Sequence, residues 1–323
     1  MARLLARIPW RLIAWLSMLV SLALFAWTLP GLADGDWSRI RTSAWHNTSG
    51  LLVLWALSAL ARSRTLFNLV GTFLGGYFTA IWIAVLGGRA TGSWLGETDL
   101  LQLSVAVPVI EELAKLVPLL IVVLAWRWRT DRSPGIVDFT LMGMASGAGF
   151  AFHEDGLWQR LSGSGLDSPL GWLWPSMYAE TGTVAGHVVW TGLVGLGVGM
   201  WMTRAVRRLS WLAPVVLLAV VVADHGIWNN VAAREDWSLL RLDGWLVPGL
   251  LLSALLVALV RETWRLHRLT DGLATAMLLR LPSRAVRGGV LVGPRKAWQA
   301  NELLRDLALE IHGRPDATVG KDL

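Results

Sequence analysis

Long apolar runs alternate with short polar connections along this chain. Eight of the runs are long enough, or nearly so, to cross a hydrocarbon core that takes roughly 20 helical residues. They lie at Trp10–Leu32, Thr48–Ala61, Thr65–Leu86, Leu100–Trp126, Ile136–Trp158, Met177–Met202, Trp211–Asn230 and Gly244–Val260, the second being the shortest. The pattern predicts an all-α fold: a polytopic membrane bundle of about eight transmembrane helices. Beyond Val260 the chain becomes Arg-rich and partly amphipathic. Residues 261–281 read as a basic helix on the inner leaflet, broken by Pro282 and Gly288-Gly289, and a second short helix follows Pro294 as far as about Ile311. The division is thus a transmembrane domain over 1–260, with its chemistry at about 100–230, and a short cytoplasmic helical tail over 261–323.

Composition and charge sharpen this picture. The 323 residues are 54% hydrophobic and 16% charged, with a mean hydropathy of +0.51, outside the range of a soluble domain. There is no cysteine, which excludes disulfides, thiol nucleophiles and Cys-based zinc sites. The high pI, about 10.6, comes from arginines beside apolar runs and not from a basic face interleaved with aromatics, so nucleic acid is not an expected partner. Those arginines fall on alternate connections: Arg3, Arg7 and Arg11; Arg62 and Arg64; Arg127, Arg129 and Arg132; Arg204, Arg207 and Arg208; Arg261, Arg265 and Arg268. The positive-inside rule makes those connections, and both termini, cytoplasmic in a multi-pass plasma-membrane protein of bacterial type. The first segment also admits reading as a cleaved signal, with a weak small-residue site at Gly31–Ala33, although its apolar run is long for that. Many of the 21 tryptophans sit at span ends, where they serve as interfacial anchors.

Ionisable side chains cost roughly 2.5–3.5 kcal/mol each in hydrocarbon on insertion scales, so their placement is informative. They concentrate in spans four to seven: Glu111, Glu112, Lys115, His153, Glu154, Asp155, His187, Asp224 and His225. Helical spacing brings Lys115 within reach of both Glu111 and Glu112. Two carboxylates against one ammonium leave a negative charge that a purely structural ion pair does not require. Phe150 and Glu154 share a helix face; His153-Glu154 superficially starts an HExxH zinc motif, but position 157 is leucine. His187 lies in a glycine-rich helix whose Gly182/Gly186 and Gly195/Gly199 pairs permit close backbone approach. His225 shares a face with Asn229. Counting along the spans places Glu154 and His225 shallow and Glu112 and His187 nearer the midplane, a site in the outer half of the membrane.

Four motifs in order on successive helices carry a resemblance: Glu-Glu-x-x-Lys at Glu111, Phe-x-x-x-Glu at Phe150, His-x-x-Trp-Thr-Gly at His187 and His-x-x-Trp-Asn at His225. Together they resemble the PrsW family of bacterial membrane proteases, over about Pro108 to Asn230. The CAAX prenyl proteases and Abi-type proteins are similar in logic, but expect Arg after the glutamates and His in place of Glu154. The resemblance implies cleavage of membrane-anchored protein substrates, in some members an anti-sigma factor cut on its outer side. Asp155 departs from the pattern, where Asn is expected.

Peptide hydrolysis needs an activated water, an oxyanion stabiliser and a proton for the leaving amine. A metal-free arrangement uses Glu111 or Glu112 as base, with Lys115 holding the other glutamate, Glu154 positioning the water, and His187, His225 and Asn229 as donors. A second arrangement holds a divalent metal such as zinc on Glu154, His187 and His225, with a glutamate of the first motif as base. Both stay open at this point, and so do two other classes. An ion- or proton-coupled transporter also gathers carboxylates and imidazoles at mid-membrane, though typically on broken helices in two related halves. A non-enzymatic binding or immunity protein would keep the fold without turnover.

Overall fold

The computed structural model describes residues 37–59, 66–96, 99–127, 134–162, 176–178, 182–184, 186–203, 209–230 and 245–280, with isolated positions elsewhere. The expected first span at Trp10–Leu32 falls almost wholly outside them, as do the Asp155 side chain and the chain beyond Arg280. The described chain is helical, with helices α1 (Trp37–Leu57), α2 (Leu66–Gly75), α3 (Ile81–Leu95), α4 (Val107–Arg127), α5 (Ile136–Ser162), α6 (Gly186–Met202), α7 (Leu212–Asn229) and α8 (Leu246–Arg280). A π turn over Gly76–Ala80 fuses α2 and α3 into one long helix, and a second over Gln102–Ala106 leads into α4. By length and composition, three helices suffice to cross a membrane: Leu66–Leu95, Leu212–Asn229 and Leu246–Trp264. α6 is apolar but shorter, whereas α4 and α5 carry charged residues of the polar cluster.

The expected sixth span is corrected at its start. A single helix from Met177 was predicted, but the chain forms an antiparallel hairpin, β1 (Ser176–Tyr178) with β2 (Gly182–Val184), and the helix begins at Gly186. The physical reason lies in local chemistry. β-branched Thr183 and Val184 favour an extended backbone and Gly182 disfavours a helix, and Gly186 has φ +76, a left-handed conformation that resets the chain direction before His187. Gly182 therefore does not pair with Gly186 on a helix face.

Two helices form the centre of the bundle. Nearly every residue of α5 from Ile136 to Phe152, and of α6 from Val188 to Gly199, is buried. Lipid gives little hydrophobic drive between helices, so close approach through small residues takes its place. Gly143 and Gly195 meet across the α5–α6 interface; a Cβ added at Gly195 would come within 2.6 Å of the Phe139 carbonyl oxygen and 3.2 Å of the Gly143 Cα. Thr72, Thr140 and Thr203 donate their hydroxyls to the carbonyl four residues back, which removes polar groups from the apolar environment. The outward faces carry bare apolar side chains, among them Leu86, Trp94, Leu256, Val257 and Val260, as a surface solvated by lipid does. The end anchors Trp201 and Trp211 are exposed as well.

Helix α8 continues through position 260 without a break. Its Glu262 is buried, and Oε1 accepts the Ile136 amide at 2.6 Å, capping the first turn of α5, where Asp138 Oδ2 also accepts the Gly135 amide at 3.0 Å.

Candidate active site

Up-and-down helices bring alternate ends together, and the polar residues use that geometry. Glu111 and Glu112 lie in the first two turns of α4, Glu154 lies toward the end of α5, His187 opens α6, and His225 comes near the end of α7. All five side chains meet at one end of the bundle.

Glu112 and Lys115 are fully buried and form the innermost pair, with Nζ 2.7 Å from Oε1. The same ammonium lies 2.7 Å from His187 Nδ1, 3.7 Å from Glu111 Oε2 and 4.2 Å from the centre of the Phe150 ring. An ammonium only donates, so Nδ1 meets it with its lone pair and the Nε2–H of His187 is left to donate to Glu154, with which it forms a close hydrogen bond. The second carboxylate oxygen of Glu112 accepts from Thr191 Oγ1 at 3.1 Å. His225 bridges the two glutamates of α4, with Nδ1 3.3 Å from Glu112 Oε1 and Nε2 3.8 Å from Glu111 Oε2. Its ring stacks on Trp190 at 4.2 Å and 15°, and the Trp190 indole N–H donates to Asp224 Oδ2 at 2.8 Å. The two imidazoles are 5.1 Å apart, centre to centre.

Helix contacts hold this arrangement. Gly147 packs against the His187 carbonyl, which sets α5 against the first turn of α6, and Gly226 packs against the Ser104 carbonyl in the second π turn. Ser146 Oγ donates to the Lys115 carbonyl at 2.6 Å, tying α5 to α4. Gly149 sits against the backbone of Phe73 and Tyr77 at the first π turn. Both π turns therefore lie against the helices that carry the polar cluster, a frequent setting for this rare element. Exposure rises outward, from 0% for the Glu112 side chain through 12% for His187 to 28% for Glu154, so the cluster opens on the Glu154 side.

The residues singled out from the sequence thus come together in large part: Glu111, Glu112, Lys115, Phe150, Glu154, His187 and His225 share one cluster. Asn229 is placed differently; its amide donates to the Leu103 carbonyl at 3.0 Å and pins the second π turn. His153 faces Tyr77, ring edge to ring at 4.8 Å. Sequence reasoning did not assign roles to Thr191, Trp190 and Asp224. The signal available was their position: Thr191 lies one turn after His187, Trp190 and Thr191 belong to the His-x-x-Trp-Thr-Gly stretch, and Asp224 adjoins His225.

Among the described residues, Glu111, His187 and His225 form a group whose potential ligand atoms all lie within 4.8 Å of one another. The trio read from the sequence had Glu154 where this one has Glu111; Glu154 instead backs His187 through its ring nitrogen, as carboxylates behind metal-ligating histidines do. The donor chemistry fits a divalent ion. One carboxylate and two imidazoles is a catalytic zinc set, Glu111 Oε2 and His225 Nδ1 are buried without a hydrogen bond, and the two carboxylates of Glu111 and Glu112 share a single ammonium.

Comparison with sequence models of protein families matches residues 65–261 to the PrsW family intramembrane metalloproteases, well over half of the chain. Nothing matches among curated proteins or among solved structures. The matched stretch holds all of the clustered side chains described above. On its length and motif order, the chain belongs to the PrsW family of intramembrane metalloproteases.

Proposed function

We propose that this protein hydrolyses peptide bonds of membrane-anchored proteins at the cluster of Glu111, Glu112, Glu154, His187 and His225, in the outer half of the bilayer. The observation that carries this reading is the convergence of three carboxylates and two imidazoles, from four consecutive helices, on one buried spot. A bundle of about eight spans with cytoplasmic termini orients the Glu154 side outward, so a substrate segment reaches the cluster from the extracytoplasmic face. The tail over 261–323 is assigned to the cytoplasm. Cleavage of an anti-sigma factor on its outer side, as a first step of regulated proteolysis, is the setting proposed for it.

Glu111, His187 and His225 are the residues that would hold a divalent ion such as zinc. Such an ion would supply Lewis-acid polarisation of the scissile carbonyl and make a water easier to deprotonate. Glu112, held by Lys115 and Thr191, serves in this reading as the base that takes the proton from water and later passes it to the leaving amine. Glu154 fixes the plane and tautomer of His187, and Trp190 fixes His225 by stacking. The first-turn amides of α6, which have no intrahelical acceptors, face the same end of the bundle and suit an oxyanion. Asn229 supports the α7 backbone.

Reconstituted protein and a single-span reporter with an epitope on each side test this reading. Wild type is expected to release the outer epitope, with cleavage lost on thorough chelation and regained with zinc; Glu112→Gln and Glu154→Gln should leave the reporter intact. A wild type that never cuts, or a Glu112→Gln protein that cuts equally well, would contradict it.

A further inference from the structure

The ammonium of Lys115 occupies a place built for a cation. It is fully buried, 2.7 Å from Glu112 Oε1, 2.7 Å from His187 Nδ1 and 3.7 Å from Glu111 Oε2, and the face of Phe150 lies 4.2 Å away. Two of these neighbours, Glu111 and His187, also belong to the compact group suited to a divalent ion. A single lone pair on Nδ1 cannot serve an ammonium and a metal at once. The other nitrogen of the ring is taken by Glu154. Glu112 lies outside the compact group and, three residues before Lys115 on the same helix, remains as a partner for an ammonium that lets go of His187.

We propose that Lys115 and the divalent ion are alternative cations for one ligand cluster, so that loading the site exchanges the Lys115–His187 contact for a metal–His187 bond. This rests on the metal reading given above. Lys115 is then a positioning residue with a second duty: it neutralises the cluster before the ion enters and lowers the apparent affinity for that ion. The consequence runs against ordinary expectation for a motif residue. Removing the ammonium strengthens metal binding, whereas a lysine that only scaffolds the site would weaken it when lost.

The test uses full-length protein purified in detergent, with zinc affinity measured by competition against a chromophoric chelator and by the zinc-induced rise in melting temperature. Lys115→Met and Lys115→Gln are expected to bind zinc roughly tenfold or more tighter than wild type, a span typical of coupled sites. They should also show a larger melting shift on adding zinc. Unchanged or weaker zinc binding in a folded variant, with wild type still binding, overturns the exchange and leaves the metal reading standing. Failure of wild type and both variants to bind zinc removes the metal reading and the exchange with it. Wild type labelled on its lysine side-chain nitrogens covers the case in which neither variant folds. The Lys115 signal must move as zinc binds, and an unmoved signal at full occupancy overturns the exchange.

Discussion

Glu112 meets three groups from three helices: Lys115 on its own helix, Thr191 on α6 and His225 on α7. A general base in such a position typically contributes 10²–10⁴ in rate, so Glu112→Gln should lower turnover by about that factor while the protein still inserts, as measured on the reconstituted reporter. Thr191→Val removes the hydroxyl that donates to Oε2 of Glu112. Leaving that carboxylate oxygen unsatisfied should cost about 1–3 kcal/mol, read by thermal or denaturant unfolding in detergent. Much of this was legible in the sequence. The spacing of Glu111, Glu112 and Lys115 dictates that one amine reaches both carboxylates, and it does so at 3.7 and 2.7 Å. The parts that were not legible depend on which face of α6 meets which face of α7. Asp224 stood among the costly ionisable residues and Trp190 and Thr191 in the His187 motif, but none disclosed its partner, and Asn229, one of three donors in the metal-free arrangement, donates to the Leu103 carbonyl. Spacing fixes neighbours within a helix but not partners across helices.

At the scale of elements, glycines decide how closely the helices bearing the site approach. A Cβ at Gly147 would collide with the His187 carbonyl, whereas one at Gly249, near the start of α8, meets nothing within 4 Å. Gly147→Ala should therefore destabilise the protein by about 1–3 kcal/mol, the usual range for overpacking. Gly249→Ala should be neutral or slightly stabilising, since alanine favours a helix by up to about 1 kcal/mol. Comparing their melting temperatures checks both. The Gly195/Gly199 spacing announced such an interface, but the Gly182/Gly186 pair misled, because small-xxx-small spacing carries meaning only if both positions are helical. Positive φ at Gly186 ends that continuity, and the hairpin before it occupies the place of the predicted first turns. The two π turns were also invisible in the sequence. An i to i+5 turn has no composition of its own; here it accompanies close packing from Gly149 and Gly226 on opposing helices.

Across the whole molecule, the hydropathy pattern predicted a helical membrane protein, and the alternation of spans explains why residues far apart in sequence share one end of the bundle. α8, outside the polar cluster, still contributes by capping α5 through Glu262. Glu262→Ala should loosen the first turn of α5 and cost about 1–3 kcal/mol of stability through the unsatisfied amide, visible as faster hydrogen exchange at Ile136. On the function proposed above, this cluster cuts proteins in the membrane. Quantitative mass spectrometry of ectodomain fragments shed by cells expressing wild type or Glu112→Gln at equal levels tests it most directly. Fragments ending close to a predicted span should be present with wild type and missing with the variant; identical fragment sets from the two would contradict the account.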